Sequence, residues 1–209
     1  WTKIELDAGY ANLNDVIYGK KKDGSGYIFV AVGSECVWWS EDGIDWNMGN
    51  RPGYTYYPYH FSGVAVDEEG NFIAVGFRER DNGNRTLLIW KSSNGKGWSE
   101  SLNVSTPGHF SGIAYGDGIV VACDSTSENW ISRNGGDSWE RVPVSAGQTD
   151  FAFGDGLFLA AAGQTIWLSD NQGYSWVPSK TFDDNVTSVN YCNQSLFATD
   201  SNGRIYQAV

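Results

Sequence analysis

Short apolar runs alternate with turn residues along almost the whole chain, and the runs return in a fixed order. Gly, Asp, Asn and Ser bound each run, as they bound strands in antiparallel sheets. The order is an apolar strand, a two-residue turn such as Asp-Gly, a second strand, a third strand, a polar turn and a fourth strand. No segment shows the periodicity of an amphipathic helix. The first strands read "DVIYG" (15–19), "GVAVD" (63–67), "GIAYG" (112–116), "DFAFG" (150–154) and "SVNYC" (188–192).

The later strands of each copy carry their own markers. The second strand centres on an alanine, at Ala31, Ala74, Ala122, Ala160 and Ala198. The third strand carries an aromatic residue, at Trp38, Trp90, Trp130, Trp167 and Tyr206. In four copies the fourth strand begins with a second tryptophan. The pattern predicts five copies of a four-stranded antiparallel meander.

One such meander has two apolar faces and cannot cover both, so neighbouring copies must stack. Radial stacking of small sheets is the architecture of a β-propeller. We therefore predict an all-β chain that folds as one five-bladed β-propeller domain, residues 1–209. The predicted blades span residues 12–50, 51–104, 105–145, 146–181, and 182–209 together with 1–11.

Closure of the predicted ring depends on both ends of the chain. The fifth copy stops after its third strand, "GRIYQAV", while Trp1 opens "WTKIEL". That segment matches the fourth strands "WSESL", "WERVPV" and "WVPSK". We expect the N-terminal strand to complete the C-terminal blade, which would cover two otherwise open sheet edges.

The polar turns share a motif. Residues 132–139 and 169–176 read Ser, any residue, Asn, then Gly-containing residues and Trp, and the copies at 40–46 and 92–98 are one residue shorter. They resemble the Asp-box, or BNR repeat, Ser-x-Asp-x-Gly-x-Thr/Ser-Trp, with Asn in place of Asp in three copies. The resemblance implies a propeller of the kind known from sialidases and from non-enzymatic modules of phage virions and bacterial surface proteins. The motif residues are Ser40, Asp42, Trp46, Ser92, Asn94, Trp98, Ser132, Asn134, Trp139, Ser169, Asn171, Trp176 and, for the fifth blade, Trp1.

We expect these motif residues to be structural. An Asp or Asn side chain at the third position accepts hydrogen bonds from backbone N–H groups ahead of it. Glycine supplies the backbone conformation that other residues resist. The tryptophan then anchors the turn by packing between sheets.

Charge and cysteine content exclude several classes of protein. The net charge of −11 disfavours nucleic acid and anionic membranes as partners. No apolar run is long enough to insert into a membrane. Cys36, Cys123 and Cys192 are an odd set without metal-ligand spacing, so we expect no disulfide scaffold, no metal site and no cofactor. The chain begins without methionine, and we expect it to be a trimmed segment or a domain of a larger chain or assembly.

Two insertions in the second blade form the candidate ligand site. The link before the blade is rich in tyrosine, and the loop between its second and third strands is rich in arginine and asparagine. Aromatic faces stack on sugar rings, while planar polar groups bind hydroxyls, so the composition suits a carbohydrate. The alternative is that the tyrosines only pack the loop down. The candidates from these insertions are Tyr54, Tyr56, Tyr57, Tyr59, His60, Arg78, Arg80, Asn82 and Arg85, and His109 of the third blade is a further candidate.

His60 and His109 are the only histidines, and both stand in the sequence "HFSG". The repeat places Asn12, Gly147 and Asn185 at the same position, which would form a polar ring at the channel mouth. Repeat inheritance alone also explains this coincidence. The basic tip at residues 19–26 either is solvated or contacts an acidic partner.

The sequence favours a non-catalytic binding module. It would recognise a cell-surface carbohydrate, or a protein while decorating a virion or surface assembly, and so act outside the cell or on a virion. A sialidase-like glycoside hydrolase is an alternative, but Arg78, Arg80 and Arg85 share one loop instead of coming from separate blades. No Ser-His-Asp or phosphate-binding motif occurs either. A purely structural protein-interaction propeller is the other alternative.

Overall fold

The computed structural model describes residues 12–50, 58–80, 84–144 and 147–208. All regular secondary structure within these ranges is β-strand. The chain divides into two compact units, Trp1–Thr106 and Pro107–Val209. Each unit is built from small antiparallel sheets whose strands pair in chain order.

The first unit contains two four-stranded sheets. Blade 1 comprises β1 (Leu13–Lys20), β2 (Tyr27–Gly33), β3 (Cys36–Ser40) and β4 (Asn47–Met48). Blade 2 comprises β5 (Tyr59–Val66), β6 (Phe72–Glu79), β7 (Arg85–Ser92) and β8 (Ser99–Thr106).

The second unit contains three sheets. Blade 3 comprises β9 (Phe110–Gly116), β10 (Ile119–Asp124), β11 (Glu128–Ser132) and β12 (Glu140–Pro143). Blade 4 comprises β13 (Asp150–Gly154), β14 (Leu157–Ala162), β15 (Thr165–Ser169) and β16 (Val177–Thr181). Blade 5 comprises β17 (Val186–Cys192), β18 (Ser195–Asp200) and β19 (Ile205–Gln207). The fourth strand predicted for it, from residues 1–11, lies outside the described residues.

Strand register follows the repeat. In every blade the central alanine of the second strand pairs with the aromatic residue of the third strand. These pairs are Ala31–Trp38, Ala74–Trp90, Ala122–Trp130, Ala160–Trp167 and Ala198–Tyr206. The predicted class, an all-β chain with the five antiparallel blades of a β-propeller, is confirmed.

Neighbouring blades meet where the first strand ends on glycine. A Cβ atom at Gly116 would lie 2.0 Å from Cγ of Phe153, and one at Gly154 would lie 2.0 Å from Cγ of Tyr191. The ring from the next blade therefore rests directly on the glycine backbone. Glycine is required here for close approach of a ring to the backbone.

Carboxylates add polar links between blades 1 and 2 and between blades 4 and 5. Asp15 at the start of β1 accepts a hydrogen bond from the Val64 N–H of blade 2, at 2.9 Å. Asp150 at the equivalent place in β13 accepts one from the Val189 N–H of blade 5, also at 2.9 Å. Burial raises the pKa of Asp150 above its ordinary value, although the hydrogen bond from Val189 acts in the opposite direction.

Candidate functional site

The blade-two rim is defined here as the start of β5, the end of β6 with the adjoining Arg80, and the start of β7. It brings together Tyr59, His60, Arg78, Arg80 and Arg85 of the candidate residues. Cross-strand pairing sets Tyr59 opposite Arg78 and Arg78 opposite Thr86. The other candidates from these insertions, Tyr54, Tyr56, Tyr57 and Asn82, lie outside the described residues.

On one face of the rim, Tyr59 packs against Trp90 and Arg78. Tyr59 is only 5% exposed, and its ring meets the Trp90 ring edge-on at 4.8 Å between centroids. The Arg78 guanidinium carbon lies 5.9 Å from the centre of the Tyr59 ring. Tyr59 therefore offers no open ring face to a sugar, and its role here is to pack the end of the sheet.

On the opposite face, Phe77 lies at the centre of a small cluster. His60 stacks on the Phe77 ring at 4.8 Å, and the Arg85 guanidinium carbon lies 4.5 Å from that ring. Arg85 also forms an ion pair with Glu79, with 2.9 Å between Nη2 and Oε1. The His60 Nδ1 atom is 3.4 Å from Oγ of Ser34 in blade 1.

The rim is positively charged on an acidic protein. Among its described residues it carries three guanidinium groups, of Arg78, Arg80 and Arg85, against the single carboxylate of Glu79. Arg80 is exposed, while the other two arginines are half-buried. With the whole chain at −11, such a local field attracts an anionic partner.

Three polar atoms of blade 2 are buried without a hydrogen-bond partner. They are Nε of Arg78, Oγ1 of Thr86 and Nε1 of Trp90. Buried donors are almost always paired in folded proteins, so three on one sheet are notable. Thr86 and Trp90 are 0% and 2% exposed.

Blade 3 shows how the equivalent indole is paired. Asp124 stands two residues after the central alanine, and its carboxylate accepts a hydrogen bond from Oγ1 of Thr126 at 2.6 Å and from Nε1 of Trp130 at 2.9 Å. Thr126 lies in the turn between β10 and β11, whereas Thr86 of blade 2 lies within β7. In blade 2 the residue at the position of Asp124 is Gly76, which has no side chain that could accept a hydrogen bond.

In blade 5 an aspartate also pairs with the aromatic residue of the third strand. Asp200 accepts a hydrogen bond from the Tyr206 hydroxyl at 2.8 Å and from the N–H of Arg204 at 2.9 Å. Burial acts to raise the pKa of Asp200, but these hydrogen bonds outweigh it and hold the pKa below its ordinary value. The same bond to Asp200 raises the pKa of Tyr206. A carboxylate is thus the natural partner of this donor position.

The sequence analysis missed the pairing of the third-strand aromatic residue with an aspartate. The available signal was the aspartate two residues after the central alanine, at Asp124 and Asp200.

His109, the remaining candidate, belongs to the second unit. Its backbone N–H donates to Oγ of Ser125 at 3.1 Å, and its carbonyl accepts from the Ser125 N–H at 2.9 Å. The carbonyls of Asn12 and Asn185 accept equivalent bonds from Ser34 and Ser201, at 2.8 and 2.9 Å. The polar ring draws on residues of both units and stays a prediction.

All four Ser-to-Trp turns have the same internal hydrogen bonds. In each turn the serine Oγ accepts a bond of 2.9 Å from a glycine N–H, and the tryptophan Nε1 donates to that glycine's carbonyl at 3.0–3.2 Å. The Asp or Asn side chain accepts from the serine hydroxyl and from backbone N–H groups ahead of it. In blades 2 and 4 this glycine also packs on the preceding blade, where a Cβ atom at Gly95 would lie 2.8 Å from Cγ2 of Val30 and one at Gly173 would lie 3.1 Å from Cγ1 of Val121.

The basic tip of blade 1 is tied to its neighbours. Lys21 forms an ion pair with Glu41 at 3.3 Å, and Lys22 forms one with Glu69 of blade 2 at 3.1 Å. The Lys22 N–H also donates to the Ser93 carbonyl at 3.0 Å. Two of the three lysine charges are therefore matched within the first unit.

No group of three or more potential metal ligands occurs among the described residues. A cavity of about 400 Å³ beside β19 is lined by residues such as Phe182, Leu196 and Tyr206, and its lining holds no carboxylate or imidazole. No helix in these parts of the chain is long and apolar enough to cross a membrane.

Comparison with solved structures supports the fold. YCF48 from Cyanidioschyzon merolae aligns with 100% of the chain over 70% of its own length, at 17% identity and a TM-score of 0.67, and YCF48 bound to D1 peptide aligns similarly, with a TM-score of 0.66. The gluconolactonase XC5397 from Xanthomonas campestris aligns with 91% of the chain over 70% of its length, at 10% identity and a TM-score of 0.62. The WD40 β-propeller domain of Doa1 aligns with 95% of the chain over 65% of its length, at 15% identity and a TM-score of 0.58. No protein-family model and no curated protein matches the chain. At these identities the likeness shows the propeller fold alone.

Proposed function

We propose that this chain is a non-catalytic binding module that recognises a protein or peptide partner at the blade-two rim. The observation that carries the proposal is the cluster of three arginines at one end of the β6–β7 hairpin on an otherwise acidic chain. A similarly folded protein, YCF48, has a structure with a bound peptide. We further propose that the four Ser-to-Trp turns are Asp-boxes and that they serve the scaffold, since their polar atoms bond to one another.

A carbohydrate partner on a cell or virion surface is the second candidate. The tyrosine-rich link before β5 is the feature that favours it. The burial of Tyr59 removes one of the rings that a sugar could have stacked on.

The proposal is tested by screening the purified chain against a peptide library and a glycan array side by side. Arg80→Glu reverses an exposed rim charge, and Lys180→Glu is the matched reversal at an exposed position of blade 4. We expect peptide binding that weakens with salt and is lost in Arg80→Glu only. Glycan binding with the same sensitivity would support the second candidate, and turnover of a fluorogenic sialoside would overturn the non-catalytic assignment. Binding that both variants retain would place the site elsewhere.

A further inference from the structure

We infer that the cavity beside β19 is a binding site for an indole ring. The cavity has a volume of about 400 Å³ and lies between blades 4 and 5, where it is lined in part by Ile166, Ser179, Phe182, Leu196, Ala198 and Tyr206. Sites that hold small molecules have volumes of about 300–1,000 Å³. The site belongs to other blades than the rim, so it goes beyond the proposed function.

Blade 2 shows what fills the equivalent place when a fourth strand is present. Trp98, directly before β8, is only 7% exposed and lies in one apolar cluster with Phe72, Ala74 and Trp90 of its own blade. The cluster also contains Val37 of blade 1, so the indole is enclosed between two sheets. A tryptophan at the start of the fourth strand therefore fills the space between this blade and the one before it.

Blade 4 has the same arrangement. Trp176, directly before β16, packs against a cluster that contains Phe158 and Ala160 of its own blade, and Trp167 packs against the same cluster. Val121 of blade 3 belongs to the cluster as well. An indole ring thus fills this place in both blades.

The walls of the cavity are the blade 5 counterparts of these side chains. Leu196 stands two residues before the central alanine, Ala198, where blades 2 and 4 have phenylalanine. Tyr206 pairs with that alanine, where blades 2 and 4 have tryptophan. Both replacements are smaller than the residues they replace, which leaves room for a ring. The fourth strand predicted for blade 5 lies outside the described residues.

The chemistry of the walls suits an aromatic ring. Ile166, Leu196 and Ala198 present apolar side chains. The rings of Phe182 and Tyr206 lie 4.6 Å apart at 52°, and an added ring can pack on them in an offset or edge-on arrangement. The lining holds no carboxylate or imidazole, so burial of the apolar ring surface is the main source of affinity.

The test is a ¹³C–¹H NMR titration of the methyl groups with indole as the probe, in the native chain and in Trp1→Ala. Trp1 is the motif residue that the sequence analysis assigns to the fifth blade, and it lies outside the described residues. We expect indole to shift the methyl signals of Leu196 and Ala198 in Trp1→Ala. The methyl signals of Val121 should not shift, because Trp176 already occupies the equivalent place.

The two chains distinguish the natural source of the ring. A response of the native chain as well would support a site that accepts a ring from a separate molecule. A response of Trp1→Ala alone would support the same site with residue 1 as the source. No shift of the Leu196 and Ala198 methyl signals in Trp1→Ala, or an equal shift of those of Val121, would overturn the inference. Trp1→Leu takes the place of Trp1→Ala if that variant does not fold.

A matched pair of substitutions on β16 locates the binding. Ser179 is exposed and lines the cavity, so Ser179→Trp in the Trp1→Ala background adds a ring to the same space. It should weaken indole binding about tenfold or more. Val177 is exposed on the same strand but does not line the cavity, and Val177→Trp should leave binding unchanged. Equal binding by both variants would place the indole elsewhere and reject the site.

Discussion

Alanine at Gly154 should destabilise the second unit by forcing apart two blades. The added Cβ would lie 2.0 Å from Cγ of Tyr191 and 2.3 Å from both of its Cδ atoms. Carbon atoms pack at about 3.5–4.0 Å, so the ring must retreat by about 1.5 Å or more. Tyr191 also donates from its hydroxyl to Oδ1 of Asp155 at 2.5 Å, and a ring that retreats this far loses that bond.

The expected cost follows mainly from the overpacking. Overpacking of a tight contact typically costs about 1–3 kcal/mol. The exposed hydrogen bond to Asp155 adds little to this. A cost of about 1–3 kcal/mol is a large share of the roughly 5–15 kcal/mol that stabilises a typical domain. At about 2–4 °C per kcal/mol, it should lower Tm by about 2–12 °C.

The assay is urea unfolding followed by tryptophan fluorescence, with Gly147→Ala as the control. The nearest atom to a Cβ at Gly147 is Oγ of Ser127, at 3.9 Å, so this change should stay within about 0.5 kcal/mol. Tyr191→Ala in the Gly154→Ala background should recover part of the loss, which a double-mutant cycle measures as coupling. If Gly154→Ala and Gly147→Ala prove equally stable, or if the cycle shows no coupling, then the ring does not rest on this glycine.

Three further predictions concern polar groups. Ser169→Ala removes both the donor to Asn171 and the acceptor of the Gly173 N–H, and should cost about 1–3 kcal/mol in urea unfolding, whereas a cost below 0.5 kcal/mol would contradict a structural role for the turn. Asp124→Ala leaves a buried indole and a hydroxyl unpaired and should cost about 2–4 kcal/mol in the same assay; no loss would mean that these bonds contribute nothing. Burial raises the pKa of Asp150 in the folded state above its ordinary value of about 3.8, so folding favours the protonated carboxyl group. The contribution of this group to the free energy of unfolding is therefore lost as the pH rises from about 3.8 through the folded-state pKa. The stability of Asp150→Asn relative to the native chain should therefore increase with pH between 3 and 7 and level off once Asp150 is ionised, and a flat difference would refute the shift.

The strand order and its register were predictable because they depend on local patterns. Alternation of apolar and polar residues predicts strands, and turn residues such as Asp117-Gly118 predict tight hairpins. Both residues of that turn have positive φ, 50° and 77°. The pairing of a central alanine with an aromatic residue then follows from counting residues out from each turn.

The burial of Tyr59 was not predictable, because it depends on a backbone irregularity. The pairing of β5 with β6 shifts register between Phe61 and Gly63, where a bulge adds a residue. One extra residue changes which face of the sheet the preceding side chains occupy. The sequence of the link, rich in tyrosine, shows nothing of this shift.

The pairing of the basic tip was hidden for a different reason. The acidic partners of Lys21 and Lys22 lie 20 and 47 residues away, at Glu41 and Glu69. Only the packing of blade 1 on blade 2 brings the second pair together. A charge run that looks solvated in the sequence is thus part of the link between two blades.

Differences between copies of a repeat are more informative than the shared features, and the aspartate after the central alanine is the clearest example. Blades 3 and 5 have it and pair their aromatic donors; the described structure leaves the indole of Trp38, Trp90 and Trp167 unpaired in the blades that lack it. In blade 2 the His60 carbonyl occupies the space that an aspartate Cβ would need. Blade 1 has the same constraint, since a Cβ atom at Gly33 would lie 1.9 Å from the Asn12 carbonyl oxygen. Where a backbone carbonyl lies against this position, glycine stands in place of aspartate, and the third-strand indole has no carboxylate partner within its blade.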